Sequence, residues 1–380
     1  MTTDTRWAWA EIDLDAIEHN VRLIGERVSP SAVWAVVKAD GYGHGAVDVA
    51  RAALAGGAEG LAVALVAEGM ELREAGLDVP ILLLSEQPPH TAGHIVEHNL
   101  TPTVYTVDYV DALAAAGAHG LPVHMKVDTG MQRVGAQPDD VLALVEAIQR
   151  HGDQLRLAGV LTHLAVADDP GDDFTREQLA RFDDVLSSLP AAARDDVLIH
   201  AANSAGALAH PDSRRSLVRA GIAIYGISPG PGIDARAAGL RPAMSVRTKV
   251  SHVKRVPLGS RVSYGLRHEF GRETTLATIP VGYADGVPRR LSEVGGEVLI
   301  CGTRHPIVGA VTMDQLMVDA GDHDVHVGDD VVLIGEQTGP EGTDRIRAEE
   351  WADRLGTIGY EIVCGISARM PRVPRRSIER

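Results

Sequence analysis

The chain has 380 residues, more than a single core usually absorbs, and with 45% apolar and 23% charged residues it can fold and is too apolar for a disordered chain. Its formal net charge of −16 gives no long-range attraction to nucleic acid or anionic lipid, and the one strongly basic stretch is RMPRVPRR near the end.

The opening MTTDTRWAWAEIDLD has neither the charged start nor the apolar run of a secretory signal, and no later run approaches the ~18 apolar residues of a membrane span, so a cytoplasmic protein is expected. Within it, RWAWAEIDL alternates like a strand, and these first residues can pair with a sheet formed later in the chain. From residue 30 short apolar runs recur, and the strands read from them are 33–38, 60–64, 80–84, 101–105, 123–128, 157–163, 198–203 and 216–220. Between them lie segments such as AVDVARAALAGG, DVLALVEAIQR and TREQLARFDDVLSSL, with apolar residues at three- and four-residue steps. Eight strand–helix units with continuous apolar strands predict a parallel (β/α)8 TIM-type barrel. From about residue 240 the texture turns to strands and turns, as in SVRTKVSHVKRV, TTLATIPVGYA, GEVLICG and DDVVLIGE, so the α/β barrel (1–238) is followed by a mostly β domain (239–380). The join is expected near 236–242, where PGPGIDARAAGLRP clusters glycine and proline. Cys301 and Cys364 are too few for a disulfide framework and lack zinc spacing, and they are read as small buried apolar residues.

Barrels of this kind carry chemistry at the C-terminal ends of their strands. Five of the eight runs end in an orderly set: Lys38 on the first, Lys126 and Asp128 on the fifth with Arg133 beyond, His163 on the sixth, Asn203 and Ser204 on the seventh, and Arg219 with Gly221 on the eighth. Polar groups are expensive in a barrel core, so a ring of them at one mouth argues for a ligand site. Lys38 alone reads as readily as a lysine snorkelling to solvent as it does as an amine poised for a Schiff base. Its neighbours, Tyr42 among the glycines 41, 43 and 45 and a last strand delivering Arg219 and Gly221 where barrels often cradle phosphate, favour the second reading and suggest pyridoxal phosphate. Taken alone, Tyr264 is a half-buried tyrosine and His163 a core histidine or a metal ligand. No His-x-His pair or carboxylate run accompanies His163, so no metal site is read.

Taken in order, AVVKADGYGHG, KVDTGMQRVG, THLAVADD, HAANSAG, VRAGIAIYG, VSYG, VGYADGVPRRL, VTMDQ and GYEIVCGISARMPR resemble the alanine racemases over almost the whole chain. The resemblance implies pyridoxal 5′-phosphate-dependent interconversion of L- and D-alanine, supplying D-alanine for peptidoglycan, by two bases on opposite faces of the cofactor. Lys38 matches the lysine that holds the cofactor and serves D-alanine, and Tyr264 the base that serves L-alanine. Arg219 resembles the arginine facing the pyridine nitrogen, with His163 beside it. Tyr42, Ser204, Gly221, Ile222 and Tyr360 match the phosphate site, next to Asn203. Arg133 matches the arginine near the substrate carboxylate, and Lys126 a lysine carbamylated in many relatives. Tyr283, Met313 and Asp314 match residues given to the neighbouring subunit's site, which implies a homodimer. The chain departs from the pattern in two places. Ala310 stands where an arginine is usual while the acid that partners it, Asp168, is kept, and Gln132 replaces a common glycine, where altered packing is expected. Ala310 keeps a broader racemase of serine or other small amino acids in view. A decarboxylase would be expected to bring a cysteine in a second-domain loop motif that this chain lacks, and the second domain with Tyr264 counts against a simple cofactor carrier.

Overall fold

The computed structural model describes residues 5–234, 237–340 and 342–376; Ala235 and Arg236, inside the expected join, lie outside them. The chain divides into two compact units: residues 16–41 with 45–241, and residues up to Asp15 with 42–44 and those from Pro242 onward. A first strand, β1 (Ala8–Asp13), precedes eight short strands: β2 (Ala32–Val36), β3 (Gly60–Val63), β4 (Ile81–Leu83), β5 (Thr101–Val104), β6 (Leu121–Lys126), β7 (Leu155–Leu161), β8 (Leu198–His200) and β9 (Leu217–Ala220).

These eight form one parallel sheet in the order β8-β7-β6-β5-β4-β3-β2-β9. Its outer strands meet, because Ser216 N–H donates to Ile199 O at 2.8 Å and Arg219 N–H to Ala202 O at 3.0 Å, so the ring is nearly closed. β3, β4, β5 and β9 are buried along their whole length, which is why their runs are continuously apolar. Large rings share the interior with two glycines: a Cβ on Gly60 would lie 2.6 Å from the Trp34 ring and one on Gly159 2.6 Å from the His124 ring. Several strands stop short of their expected ends, β2 at Val36, β7 at Leu161 and β8 at His200, so Lys38, His163 and Asn203 sit just past the strands.

The other unit is built on a ten-stranded sheet. Its strands are β10 (Met244–Lys249), β11 (His252–Val256), β14 (Thr274–Ile279), β15 (Glu297–Ile300), β16 (Thr303–Val308), β17 (Leu316–Gly321), β18 (Asp330–Gly339), β19 (Gly342–Ile346) and β20 (Arg372–Arg375), with β1 between β10 and β20, and a separate hairpin is made by β12 (Arg261–Val262) and β13 (His268–Glu269). Two helices, Ala348–Leu355 and Gly359–Gly365, were not expected from the sequence; Trp351 and Ala352 bury one side of the first. The cysteine reading is also corrected: both are exposed. Cys301 and Gly302, at φ 54° and 81°, form the two-residue turn between β15 and β16, and such a turn points its side chains outward. Among the described residues no helix is long and apolar enough to cross a membrane.

Candidate active site

Lys38 opens a tight left-handed turn. Ala39, Asp40, Gly41, Tyr42 and Gly43 all have positive φ, from 52° to 78°. For residues other than glycine this conformation costs roughly 1–2 kcal/mol each, and runs of it persist only where surrounding contacts over-determine them. Those contacts are visible. The Glu68 carboxylate accepts from Ala39 N–H at 2.6 Å, Ala64 N–H at 2.8 Å and Leu65 N–H at 3.0 Å. Gly41 N–H returns to Val37 O at 2.9 Å, and the Asp40 side chain accepts from Ala46 N–H at 2.9 Å, starting the next helix. Lys38 is thereby fixed at the end of a buried stem and is itself half-buried at the mouth. Beyond the turn Arg372 Nε donates to Gly43 O at 2.9 Å, and a Cβ on Gly43 would come within 2.6 Å of Val363 O, so only glycine fits.

Opposite ends of the barrel sequence meet at Arg219, on β9 and buried. Its Nη1 donates to His200 Nδ1 at 2.7 Å; its Nη2 donates to Thr162 O at 2.8 Å, Ala201 O at 3.0 Å and His163 Nδ1 at 3.3 Å. These acceptors are neutral. Because a guanidinium can only donate, His200 Nδ1 must present its lone pair and its proton must sit on Nε2. That Nε2 lies 2.9 Å from His124 Nδ1, which therefore accepts, placing the His124 proton on Nε2 as well. One obligate donor fixes the tautomers of a buried histidine chain. Burial first, and the Arg219 charge second, push His163 and His200 well below the ordinary histidine range and His124 down to about 3, so all three stay uncharged near neutrality. Burial also lowers Arg219 to about 10, which still leaves it protonated there.

Lys126, at the end of β6, is buried against the same group. Burial, then the charges of Arg219, Arg133 and Lys38, push its ammonium down to about 7 against a partial rescue by Asp128. The loop after it folds back on the strand: Asp128 N–H donates to Ala136 O at 2.9 Å, and the Asp128 carboxylate accepts from Gly130 and Gln132 N–H at 2.9 and 3.1 Å. Gln132 has φ 56°, the left-handed region that favours glycine, and Arg133 follows it, exposed. On the far side Asn203 caps the helix Ser204–Ala209 through Gly206 N–H at 2.9 Å, while Ser204 Oγ accepts from Gly221 N–H at 2.8 Å and Ala223 N–H at 3.3 Å. The amides that open the turn Ile222–Tyr225 are thus gathered at the end of β9.

The remaining expected residues belong to the other unit. Tyr42 and Tyr360 have ring centroids 6.1 Å apart, and burial, then Tyr360, raises the Tyr42 phenol above its usual range, so it is a hydroxyl donor. Tyr283 is tied to the MDQ loop by its N–H on Thr312 O at 3.0 Å, while Ala284 N–H reaches Met313 O at 3.1 Å. Asp314 accepts from Arg369 at 2.8 Å. Tyr264 is 77% exposed, more than a half-buried tyrosine at a strand end, and Tyr283 and Met313 are 44% and 52% exposed. Tyr264 borders a cavity of about 300 Å³ shared with Arg267, His268, Arg289, Glu293 and Ala310. Glu68, His124, His200 and Arg372 were not singled out from the sequence. His200 was findable, since it ends a barrel strand as His163 nearly does, whereas Glu68 sits on a helix with no mark of its reach to residue 39.

The chain as a whole has counterparts among known proteins. Residues 12–229 match the family model "Alanine racemase, N-terminal domain" and residues 243–374 "Alanine racemase, C-terminal domain". The chain is similar to the alanine racemase of Symbiobacterium thermophilum, 46% identical over 371 residues, covering 97% of each. Among solved structures it is similar to the alanine racemase of E. faecalis, with TM-score 0.92, 37% identity and coverage of 99% of this chain and 100% of that one. The alanine racemase of Bacillus anthracis with bound L-Ala-P superposes with TM-score 0.90 at 39% identity, covering 98% and 96%.

Proposed function

The chain belongs to the alanine racemase family, and on that premise we propose that it interconverts L-alanine and D-alanine with pyridoxal 5′-phosphate as cofactor. The observation that carries the cofactor reading is Arg219, a buried guanidinium at a strand end whose described acceptors are all neutral. A permanent donor there suits a pyridine nitrogen that remains unprotonated. The residues present fit the rest of the group. Lys38 would hold its aldehyde carbon, His163 would lie beside the ring, and Ser204, Asn203, the amides of Gly221 and Ile222, Tyr42 and Tyr360 would receive its phosphate. When bound, the cofactor withdraws electrons and acidifies the substrate Cα–H.

Inverting that carbon requires a proton to leave one face and arrive on the other. Lys38 Nζ removes or returns the Cα proton on the D-alanine side, and Tyr264 Oη does so on the L-alanine side. Arg133, with Tyr283, Met313 and Asp314, orients the substrate. The last three come from the neighbouring subunit of a homodimer, a reading supported by the exposure of Tyr283 and Met313. Lys126 is neutral for much of the time near pH 7 and so can add carbon dioxide: an N–C bond forms, a proton leaves, and a carbamate anion is created beside Arg133. Most of the cofactor site is assigned to the barrel, 1–238, with 239–380 supplying Tyr264 and Tyr360. The setting is cytoplasmic, with D-alanine destined for peptidoglycan. Proton NMR of the cofactor-loaded protein with L-alanine in deuterium oxide, alongside optical rotation, tests the reading. Loss of the α-proton signal with rotation decaying to zero is expected; an unchanged α-proton signal would refute it.

The cavity beside Tyr264 favours one second reading. Ala310 leaves room on its wall, so racemisation of serine at a rate near that of alanine would identify a broader enzyme. Ala310→Arg would then reduce serine turnover more than alanine turnover.

A further inference from the structure

At the end of the barrel away from its mouth, the segment joining β4 to β5 carries the run HIVEH on the short helix Ala92–Glu97 and its cap. His94 and His98 stand one helical turn apart, on the same face as Glu97. One donor atom from each of the three lies within 4.8 Å of the others. His94 Nδ1 is 3.7 Å from Glu97 Oε2, and the imidazole centroids are 6.3 Å apart. His98 Nδ1 sits 3.0 Å from His94 O. A carbonyl accepts only, so Nδ1 carries the proton and Nε2 keeps its lone pair for a ligand, the tautomer control that metal-binding histidines use. The backbone beneath is held rigid: Arg73 Nε donates to His98 O at 2.9 Å and its Nη2 to Asn99 O at 2.9 Å.

We propose that His94, Glu97 and His98 bind one divalent transition-metal cation of the zinc and copper class, with solvent completing its coordination. Two imidazoles and a carboxylate form the donor set such ions take, and histidines four residues apart on a helix are a recurrent way to supply two of them. Donors on one tetrahedral ion with bonds of ~2.1 Å lie ~3.4 Å apart. Closing from the observed spacing needs only side-chain rotation, which the exposed His94 and Glu97 side chains allow, at 56% and 70%. Glu97 supplies the negative charge, and acid should release the ion because ligation requires neutral imidazole. The residues lie just before β5, at the end of the barrel opposite the strand ends that carry Lys38, so the site is separate from the catalytic one and does not depend on the function proposed above.

The test is titration of the cofactor-loaded full chain, stripped with a chelator, with Zn²⁺ by calorimetry and with Cu²⁺ by electron paramagnetic resonance. One ion per chain is expected, with nitrogen splitting from two imidazoles on Cu²⁺. His94→Ala or His98→Ala should each weaken Zn²⁺ at least tenfold, and the double variant should lose this ion, while His252→Ala, an exposed histidine elsewhere, should leave it unchanged. Circular dichroism identical to that of the parent checks that these surface variants are folded. An ion retained by the double variant, no ion in the parent, or a copper spectrum without imidazole nitrogen would each overturn the assignment.

Discussion

Lys126→Met should remove a pH dependence of stability that the parent displays. In the folded protein the ammonium is pushed from 10.5 down to about 7, by burial and then by Arg219, Arg133 and Lys38. The unfolded chain keeps that proton up to the ordinary lysine range. Between these limits the unfolded state holds one more proton than the folded state, so raising the pH favours folding, by about 1.4 kcal/mol per pH unit. Below about pH 7 both states are charged and the full penalty of burying the ammonium, about 5 kcal/mol as an upper figure, is felt. Above ~10 the slope reverses, because the phenols of Tyr42 and Tyr109, raised chiefly by burial, hold protons that the unfolded chain has lost. The useful window is therefore roughly pH 7 to 9.5, over which Lys126 contributes about 3 kcal/mol. Urea unfolding in argon-purged, bicarbonate-free buffer at several pH values measures it. The midpoint of the parent should climb across the window; that of Lys126→Met should be flat and higher at pH 7. Equal slopes for the two proteins would refute the buried-ammonium argument. Adding bicarbonate to the parent should flatten its slope, since a carbamate has no ammonium to titrate, and ¹³C-bicarbonate should give a carbamate resonance absent from the variant.

Three further outcomes are expected. Tyr264→Phe should lower racemisation by 10²- to 10⁴-fold, with urea stability within about 0.5 kcal/mol of the parent because the side chain is largely exposed; normal turnover would remove Tyr264 as a base. His200→Leu takes an acceptor from buried Arg219 and a donor from His124, and should lower stability by about 2–4 kcal/mol in the same assay; less than 1 kcal/mol would mean that Arg219 finds another partner. Gln132→Gly relieves a left-handed φ of 56° and should be neutral or stabilising by up to about 1 kcal/mol, whereas Gln132→Val should destabilise.

Much of the barrel was legible because several of its strands are buried along their whole length and therefore written as uninterrupted apolar runs. The ring of polar residues was legible for the same reason, as a break in that pattern at one end of five of the runs. What the pattern does not encode is where a strand yields to an irregular turn. VWAVVK reads as one strand, yet the chain leaves the sheet after Val36 and enters a left-handed turn, since glycines at 41 and 43 permit it and Glu68, distant in sequence, supplies the N–H acceptor. The Cys301 error has a similar origin: hydrophobicity favours burial, but at a two-residue hairpin turn the backbone decides direction. Gln132 was legible as a departure, and the structure supplies the reason, a positive φ.

The barrel mouth also gathers like charges that lower one another's proton affinity. Lys38, Lys126, Arg133 and Arg219 act on one another there, and Asp128 is the carboxylate that offsets them at Lys126. Asp128 is itself committed to Gly130 and Gln132 N–H, and Arg219 leans on neutral histidines and carbonyls. A chain with net charge −16 thus brings four cationic side chains close enough to act on one another at one mouth. Such an arrangement stores instability that an anion relieves on arrival, so ligands should bind with an electrostatic gain set by how many of these cations they meet. A phosphate, a substrate carboxylate and a carbamate on Lys126 are three anions of different reach that meet different members of the set. Their contributions should therefore not add: once the carbamate has neutralised Lys126 and faced Arg133, a substrate carboxylate gains less from Arg133 as a bare charge and more from its fixed orientation, and Lys126→Met should lower substrate affinity less than Arg133→Met does.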